Sequence, residues 1–403
     1  MVTKESIVRR DSFEGHIVNV EHATVFYDTN PAAPDDEKFK MLFIDEVRNK
    51  TDLVMAVSGD GLNFRLKREN RFEIESQFDT QNILFWDERI RKYRIYTRIR
   101  RFGKRGIRMH LTEDFSTFSN ASDLVFRNDS NPDTQLYTNC IAPYVRSEKF
   151  WIGFPIRYCD HGQVWTCSQL YPPGVERRVC RINGTKYTRV GTVATDPLFM
   201  SSRNGWIWDR RDESFLRPGP CTEGSWFYGD NYVFHGMLTT KSGLGFGAPD
   251  EFSFYTVENY MNTDESPVRF RRWKLRQDGF VSAHFGEETG ELTTKPFLLT
   301  EDSLSLNLET SAWGLLTVEI LDEDGNVING FGKKDMYPIY GDSLDIRPMW
   351  KKSGSCLAEL KGKTIALRFT GRDADLYSYA HVPYRKDPDL PKITEEAKLE
   401  PGI

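Results

Sequence analysis

A polar cluster of one carboxylate and two amides runs directly into an apolar, strand-forming segment. Residues 78–82 read FDTQN and residues 83–86 read ILFW. An aspartate beside apolar residues is costly to bury unless it is hydrogen-bonded or functional. Asp79 is therefore a candidate catalytic carboxylate, acting as a nucleophile, a base or the residue that orients a sugar, and Gln81 and Asn82 are candidate substrate ligands. The plainer alternative is an aspartate that caps a turn.

Two further carboxylates are candidates for a catalytic pair with Asp79, since paired carboxylates can share general acid and base roles. Glu258 follows the strand pattern of residues 252–257, and a glutamate with apolar neighbours suits a general acid. Glu21 takes an equivalent place before the strand at residues 24–26, with His22 as a ligand for a sugar hydroxyl. The alternatives are an edge-strand glutamate paired to an arginine such as Arg271, and a surface Glu-His pair.

Four more polar residues open or close predicted strands and are candidate substrate ligands. Tyr137 and Asn139 open an inner strand and are expected to contact hydroxyls. Arg157 ends the strand that precedes it and is a candidate ligand for a carboxylate or sulfate on an acidic sugar. Asp230 opens the fourth strand unit.

The elements that position these residues are predicted strands, since period-2 apolar runs are bounded by Gly, Asp and Pro. A turn pattern of Ser or Thr, then Asp or Asn, then an aromatic recurs at 58–64, 112–118 and 201–208. It predicts a turn between the outer strands of a blade, with the aromatic packed on the sheet. These repeats predict a β-propeller over residues 1–280. An irregular sandwich is the alternative.

The pattern changes after residue 280. Alternating strands at 304–308, 316–321 and 364–369, a hairpin turn at 322–325 and a closing strand at 373–380 predict a β-sandwich over 281–382. The tail at 383–403 is rich in Pro, Lys, Asp and Glu and is predicted to be disordered or draped on the surface.

Several spaced motifs resemble a bacterial family of glycoside-hydrolase-like proteins in the arabinanase, levansucrase and invertase superfamily. They include SGDG at 58–61, FDTQN at 78–82, LYTN at 136–139, FMSSR at 199–203 and DGFVS at 278–282. The resemblance implies an all-β chain with a five-bladed β-propeller, a funnel-shaped site on its axis, and a following β-sandwich. Few residues precede the strand at 24–26, so either the first blade is incomplete and is supplied by the C-terminus or by another chain of a homo-oligomer, or the N-terminus has been trimmed.

The predicted function is that of a glycoside hydrolase acting on a plant or algal oligosaccharide, such as a furanoside, through paired carboxylates in the funnel. The alternative is a carbohydrate-binding propeller protein without catalysis. The two differ in whether a bound sugar is cleaved.

Composition and motifs argue against several other classes. A net charge of −5 gives no electrostatic footprint for nucleic acid, and no apolar run predicts a membrane span. The chain as given is expected to be cytoplasmic, or periplasmic or secreted if a leader has been removed. The six cysteines show no zinc-ligand spacing. No cofactor is expected, and a structural calcium on the propeller axis is left open.

Overall fold

The computed structural model describes residues 18–47, 50–127, 131, 133–162, 192–220, 228, 230–258, 260 and 268–386. Within these ranges the chain is all-β, as predicted, and its helices are three-residue 3₁₀ turns at Asp35–Glu37, Lys333–Asp335 and Ala358–Leu360. None of the helices in this part of the chain is long and apolar enough to cross a membrane.

The chain divides into two compact units. The first comprises Met1–Leu238 with Ser253–Lys274, and the second comprises Thr239–Phe252 with Leu275–Ile403. The predicted boundaries at 280 and 382 stay predictions.

Two four-stranded antiparallel meanders begin the first unit. The first sheet has the order β1-β2-β3-β4, formed by Val18–Tyr27, Phe39–Val47, Lys50–Ser58 and Arg65–Arg71. The second has the order β5-β6-β7-β8, formed by Ile83–Asp87, Lys92–Arg101, Lys104–Thr112 and Ser122–Asp123. Their apolar side chains pack into shared clusters, for example Leu42 with Leu84 and Ile95.

The next strands form shorter, interrupted sheets. The third group comprises β9 to β16: Val125–Phe126, Gln135–Leu136, Ala142–Pro143, Trp151–Gly153, Ile156–Asp160, Val193–Pro197, Met200–Ser202 and Ile207–Arg210. The fourth comprises β17 to β20: Tyr232–Val233, Leu238–Thr240, Glu251–Glu258 and Arg269–Arg276. The strands of the third and fourth groups form three sheets: β10-β13-β14, then β11-β12-β15-β16-β9, and then β17-β19-β18 with β20 also paired to β19. The pairing of β16 with β9 is parallel, whereas the other pairings in the first two of these sheets and that of β17 with β19 are antiparallel. Successive sheets of this kind are typical of propeller blades. The described residues up to Arg276 contain five of them, which agrees with the predicted five blades.

The repeated turn joins the outer two strands in three of these groups, as predicted. In the first copy the Ser58 hydroxyl accepts the N–H groups of Asp60 and Gly61 at 3.2 and 3.0 Å. The Asp60 carboxylate accepts those of Leu62 and Asn63, both at 2.8 Å. The same pattern of four bonds recurs around Thr112 with Asp114 and around Ser202 with Asn204. The aromatic residue that follows packs inward in each copy, at Phe64, Phe118 and Trp208.

The second unit is built on two long antiparallel strands. The sequence predicts separate strands at 304–308 and 316–321, but one 19-residue strand, β24, covers both. A register shift between Thr310 and Leu315 bends it without ending it. Gly314 permits the bend, since a Cβ there would lie 2.1 Å from the Asp373 carbonyl oxygen. The strands of this unit are β21 to β26: Ala283–Phe285, Gly290–Thr293, Phe297–Leu298, Ser303–Leu321, Asp342–Ile346 and Thr364–Val382.

The turn at Gly205 gives a first prediction. Gly205 has φ +74°, and a Cβ there would lie 2.6 Å from Arg94 Nη1 and 2.7 Å from the Tyr96 hydroxyl. We expect Gly205→Ala to lower the free energy of unfolding by about 3 kcal/mol, from left-handed strain plus overpacking. Gly103 has φ +80° with nothing within 4 Å of its Cβ position, so Gly103→Ala should cost about 1 kcal/mol. If urea unfolding gives equal losses of stability for the two variants, the side chains around Gly205 can move to accommodate the added methyl group.

Candidate active site

A bulge in β1 positions His22. From Asn19 to Thr24 the chain advances five residues, while its partners on β2 advance two, from Ile44 to Leu42. Such a bulge bends a strand and turns a side chain away from the regular alternation. His22, inside the bulge, is turned toward the loop before β5, where its Nε2 lies 3.3 Å from Asp79 Oδ1.

Asp79 is an exposed carboxylate held between two cationic or polar groups. Its side chain is 70% exposed, and its Oδ2 lies 3.5 Å from Nη1 of Arg98, which is 2% exposed. Together with the His22 contact, each carboxylate oxygen has a neighbour that favours negative charge. The arrangement presents the carboxylate to solvent at the start of β5, the first strand of the second sheet.

The loop that carries Asp79 is fixed by its own amides. Asn82 is fully buried, and its Nδ2 donates to the carbonyl oxygens of Phe78 and Thr80 at 2.9 and 3.0 Å. The Thr80 hydroxyl donates to the Tyr137 carbonyl at 2.8 Å. Asn82 therefore shapes the loop, and the prediction that it contacts substrate is corrected, because no sugar reaches a side chain with no exposed surface.

Gln81 and Asn139 also join two segments of backbone. The Gln81 side-chain oxygen accepts the N–H of Cys140 at 3.1 Å. Asn139 is 1% exposed, and its Nδ2 donates to the Gln81 carbonyl at 3.1 Å. These two bonds join the loop that carries Asp79 to the segment at Asn139 and Cys140. For Asn139 the predicted contact with a sugar is corrected, because the side chain is buried in this linkage.

Tyr137 lies at the centre of a tyrosine cluster. Its ring stacks on Tyr158 at 5.8 Å between centroids and meets Tyr228 and Tyr232 edge-on at 6.0 and 5.8 Å. The Tyr137 and Tyr228 hydroxyls are 2.9 Å apart. Arg98 lies over the Tyr137 ring, with Cζ 4.7 Å from its centroid. Arg98 therefore contacts both Asp79 and the half-buried Tyr137 ring.

Arg157 and Glu258 are each occupied by an ion pair. Arg157 Nε and Nη2 donate to the two oxygens of Asp196 at 2.9 and 2.6 Å, and Nη1 donates to the Asp212 carbonyl at 2.7 Å. Glu258 accepts both Nε and Nη2 of Arg271, at 2.5 and 3.1 Å. The sequence alternative of a Glu258–Arg271 pair is therefore confirmed. The prediction that Arg157 binds an acidic sugar is corrected, because its donors are used by the protein.

The remaining predicted site residues are Asp230 and Glu21. Asp230 is 4% exposed, and its N–H donates to the Thr195 hydroxyl at 3.1 Å. Glu21 lies in β1, but its side chain is outside the described part of the structure. Among the described residues, no group of three or more His, Cys, Asp or Glu side chains is placed to hold a metal ion.

Sequence reasoning missed Arg98 and Arg105, the two arginines next to Tyr137. A signal exists in the sequence of β6, KYRIYTRIRR, where arginines alternate with apolar residues. Such alternation is ordinarily interpreted as a solvated face. Here that face packs on the third group of strands, so Arg94 and Arg98 are buried, and Arg105 is buried beside them on the neighbouring strand β7, outside this pattern.

His235 gives a prediction for the pH dependence of stability. Its Nε2 lies 3.2 Å from the Ile141 carbonyl, and burial lowers its pKa although that hydrogen bond opposes the shift. The unfolded chain, with a histidine pKa of about 6.5, then binds a proton before the folded protein does. Stability is therefore expected to fall as pH drops from about 7.5 to about 5.5.

The matched variants isolate this effect. His235→Gln retains a donor for the carbonyl but does not titrate, so urea unfolding should show a smaller loss of stability at the lower pH. His161→Gln, the same substitution at an exposed histidine, is the matched control for the effect of the substitution itself. An unchanged loss in His235→Gln would assign the effect to other groups.

Comparison with known proteins gives no family. No family model matches the chain, and no curated protein does. Similar solved structures include an N-acetylgalactosamine deacetylase from F. plautii, with TM-score 0.36 and 8% identity over 87% of this chain and 71% of that one. They also include sucrose-6-phosphate hydrolase from Lactobacillus gasseri, with TM-score 0.32 and 9% identity over 88% of this chain and 77% of that one. A fructofuranosidase from Schwanniomyces occidentalis has TM-score 0.29 and 11% identity over 89% of this chain and 82% of that one. Scores this low carry no argument about function.

Proposed function

We propose that this chain is a glycoside hydrolase, related to the arabinanase, levansucrase and invertase superfamily that its motifs resemble. The observation that carries the proposal is the Asp79 carboxylate, 70% exposed and placed between His22 and Arg98. A solvent-facing carboxylate backed by a buried guanidinium can serve as nucleophile or base at an anomeric carbon, or stabilise positive charge developing there.

The second carboxyl group is best sought at Glu21. Glu21 directly precedes His22 on β1, and the His22 side chain contacts Asp79. Glu258, the other candidate from the sequence, has both oxygens engaged by Arg271 and would need to break that pair before donating a proton. The proposed substrate is a plant or algal oligosaccharide, such as a furanoside.

A carbohydrate-binding protein without catalysis is the second candidate. The engagement of Glu258 favours it, since a glycosidase needs an acid as well as a base or nucleophile. In that case Asp79 and His22 would hold sugar hydroxyls as hydrogen-bond partners, and the site would bind without turnover.

Hydrolysis and binding measured on one panel separate the two candidates. The panel contains aryl furanosides and aryl pyranosides, with calorimetry on the corresponding free sugars. Release of the aryl group from at least one substrate is the expected result. Measurable binding with no release from any of them would favour the non-catalytic protein.

A further inference from the structure

Arg98 and Arg105 lie on the same face of the second sheet. In the register of β6 and β7, Arg98 is opposite Ile107 and Arg100 is opposite Arg105. Arg105 is two residues from Ile107, so the side chains of Arg98 and Arg105 share a face and are diagonal neighbours. The two residues are 3% and 8% exposed. Two guanidinium groups are therefore buried side by side.

Both guanidinium groups contact the tyrosine cluster. Cζ of Arg98 and Cζ of Arg105 lie 4.7 and 5.4 Å from the centroid of the Tyr137 ring. Arg105 also lies 4.2 Å from the centroid of Tyr158. The π faces compensate part of the charge.

The hydrogen-bonding capacity of these arginines is largely unused. Within the described part of the chain, the buried Nε and Nη2 of Arg98 and the buried Nε of Arg105 have no hydrogen-bond partner. The hydroxyl of Thr138, next to Tyr137 in the chain, is buried without a partner as well. Buried polar atoms are nearly always paired, so a group of unpaired donors calls for a missing acceptor.

The charges of the cluster do not balance. Across the described residues, Asp79 is the carboxylate that pairs with Arg98, at 3.5 Å, and the hydrogen bond of Arg105 goes to the neutral Gln135 at 2.8 Å. Burial lowers the pKa of Arg98. Two buried cations with a single paired carboxylate, which is itself exposed to solvent, favour an additional anion.

We propose that Arg98 and Arg105 recognise an anionic substituent, a carboxylate or a sulfate, on the sugar that binds at Asp79. This rests on the proposed carbohydrate site and names its substrate class. Arginine forks match both oxyanions. The sugar enters from the exposed side of Asp79, and its anion takes the place of the Asp79 carboxylate on Arg98. The 3.5 Å contact that it replaces is longer than a hydrogen bond.

Calorimetric titration with galacturonic acid, a galactose sulfate ester and neutral galactose tests the proposal. We expect at least one acidic sugar to bind the wild-type protein about tenfold more tightly than galactose, with an affinity that falls as salt is added. The two acidic sugars show which oxyanion is preferred. Equal affinities for acidic and neutral sugars, or no binding of either acidic sugar at ~10 mM, would overturn the proposal.

Variants assign the preference to the buried arginines. Arg98→Met should abolish it, and Arg98→Lys, which keeps the charge but loses the fork, should reduce it and serves if the first variant does not fold. Arg101 is on the same strand, but its side chain is 62% exposed and pairs with Asp123, so Arg101→Met should keep the preference. Retention of the preference in both Arg98 variants would overturn the proposal.

Asp79→Asn separates recognition from catalysis. Removing a negative charge beside Arg98 should preserve or strengthen the binding of the acidic sugar, whereas hydrolysis should be lost. A wild-type protein that prefers acidic sugars but cleaves nothing would refute the hydrolase and leave anion recognition standing. A protein that cleaves neutral glycosides without preferring acidic sugars would support the hydrolase and refute anion recognition.

Discussion

Asp79→Asn is expected to lower kcat/KM for glycoside hydrolysis by ~10²- to 10⁴-fold, the range for removing a positioned acid–base group. The amide has nearly the same shape as the carboxylate, so the loop held by Asn82 and Thr80 should persist. The loss should appear in kcat more than in KM, because the carboxylate acts on charge that develops in the transition state.

The control for this variant is Asp133→Asn. The Asp133 side chain is 72% exposed and pairs with Lys104, which makes it similar to Asp79 in exposure and in having a cationic neighbour. Its removal should leave the rate within about twofold of the wild-type value. An Asp79→Asn protein that also stays within about twofold would show that Asp79 holds the sugar without taking part in bond cleavage.

The sequence predicted the parts of the fold that depend on local chemistry. The three repeated turns could be identified because a Ser or Thr hydroxyl and an Asp or Asn carboxyl or amide oxygen bind N–H groups within a few residues. The strand pattern placed Asp79 just before a strand, and in the structure it lies before β5, where His22 contacts it. The continuous strand at Ser303–Leu321 was missed, since a bulge lets a strand continue, although bent, while it breaks the apolar alternation.

The side-chain partners could not be predicted, because they depend on which strand faces which. Arg157 was a plausible anion ligand until Asp196 was placed opposite it on the adjacent strand, in the register of β13 and β14. Arg98 is the converse case. The strand pattern did not single it out, but packing against Tyr137 buries it and leaves its Nε and Nη2 without a hydrogen-bond partner. Long-range packing therefore decides which of these two arginines keeps unpaired donors.

A buried ion pair in the first sheet gives the largest expected effect on stability. Lys40 Nζ contacts Asp28 Oδ2 and also donates to the Glu37 carbonyl at 2.9 Å, and the two paired side chains are 3% and 0% exposed. The Tyr93 hydroxyl, from the second sheet, donates to Asp28 at 2.7 Å. Lys40→Met should lower the free energy of unfolding by about 3–5 kcal/mol, because it leaves a buried carboxylate without its cation.

The size of that loss depends on burial and not on the presence of an ion pair. Lys104 pairs with Asp133 where the side chains are 45% and 72% exposed, so Lys104→Met should change the unfolding free energy by less than about 1 kcal/mol. In the double variant Lys40→Met, Asp28→Asn, the buried charge is gone; the amide oxygen can still accept the Asn30 N–H, and the amide NH2 group can donate to the Tyr93 hydroxyl in place of the bond that Tyr93 donated. Much of the stability should then return. If the double variant is as unstable as Lys40→Met, the lysine stabilises the first sheet through its packing, and the uncompensated charge is not the cause.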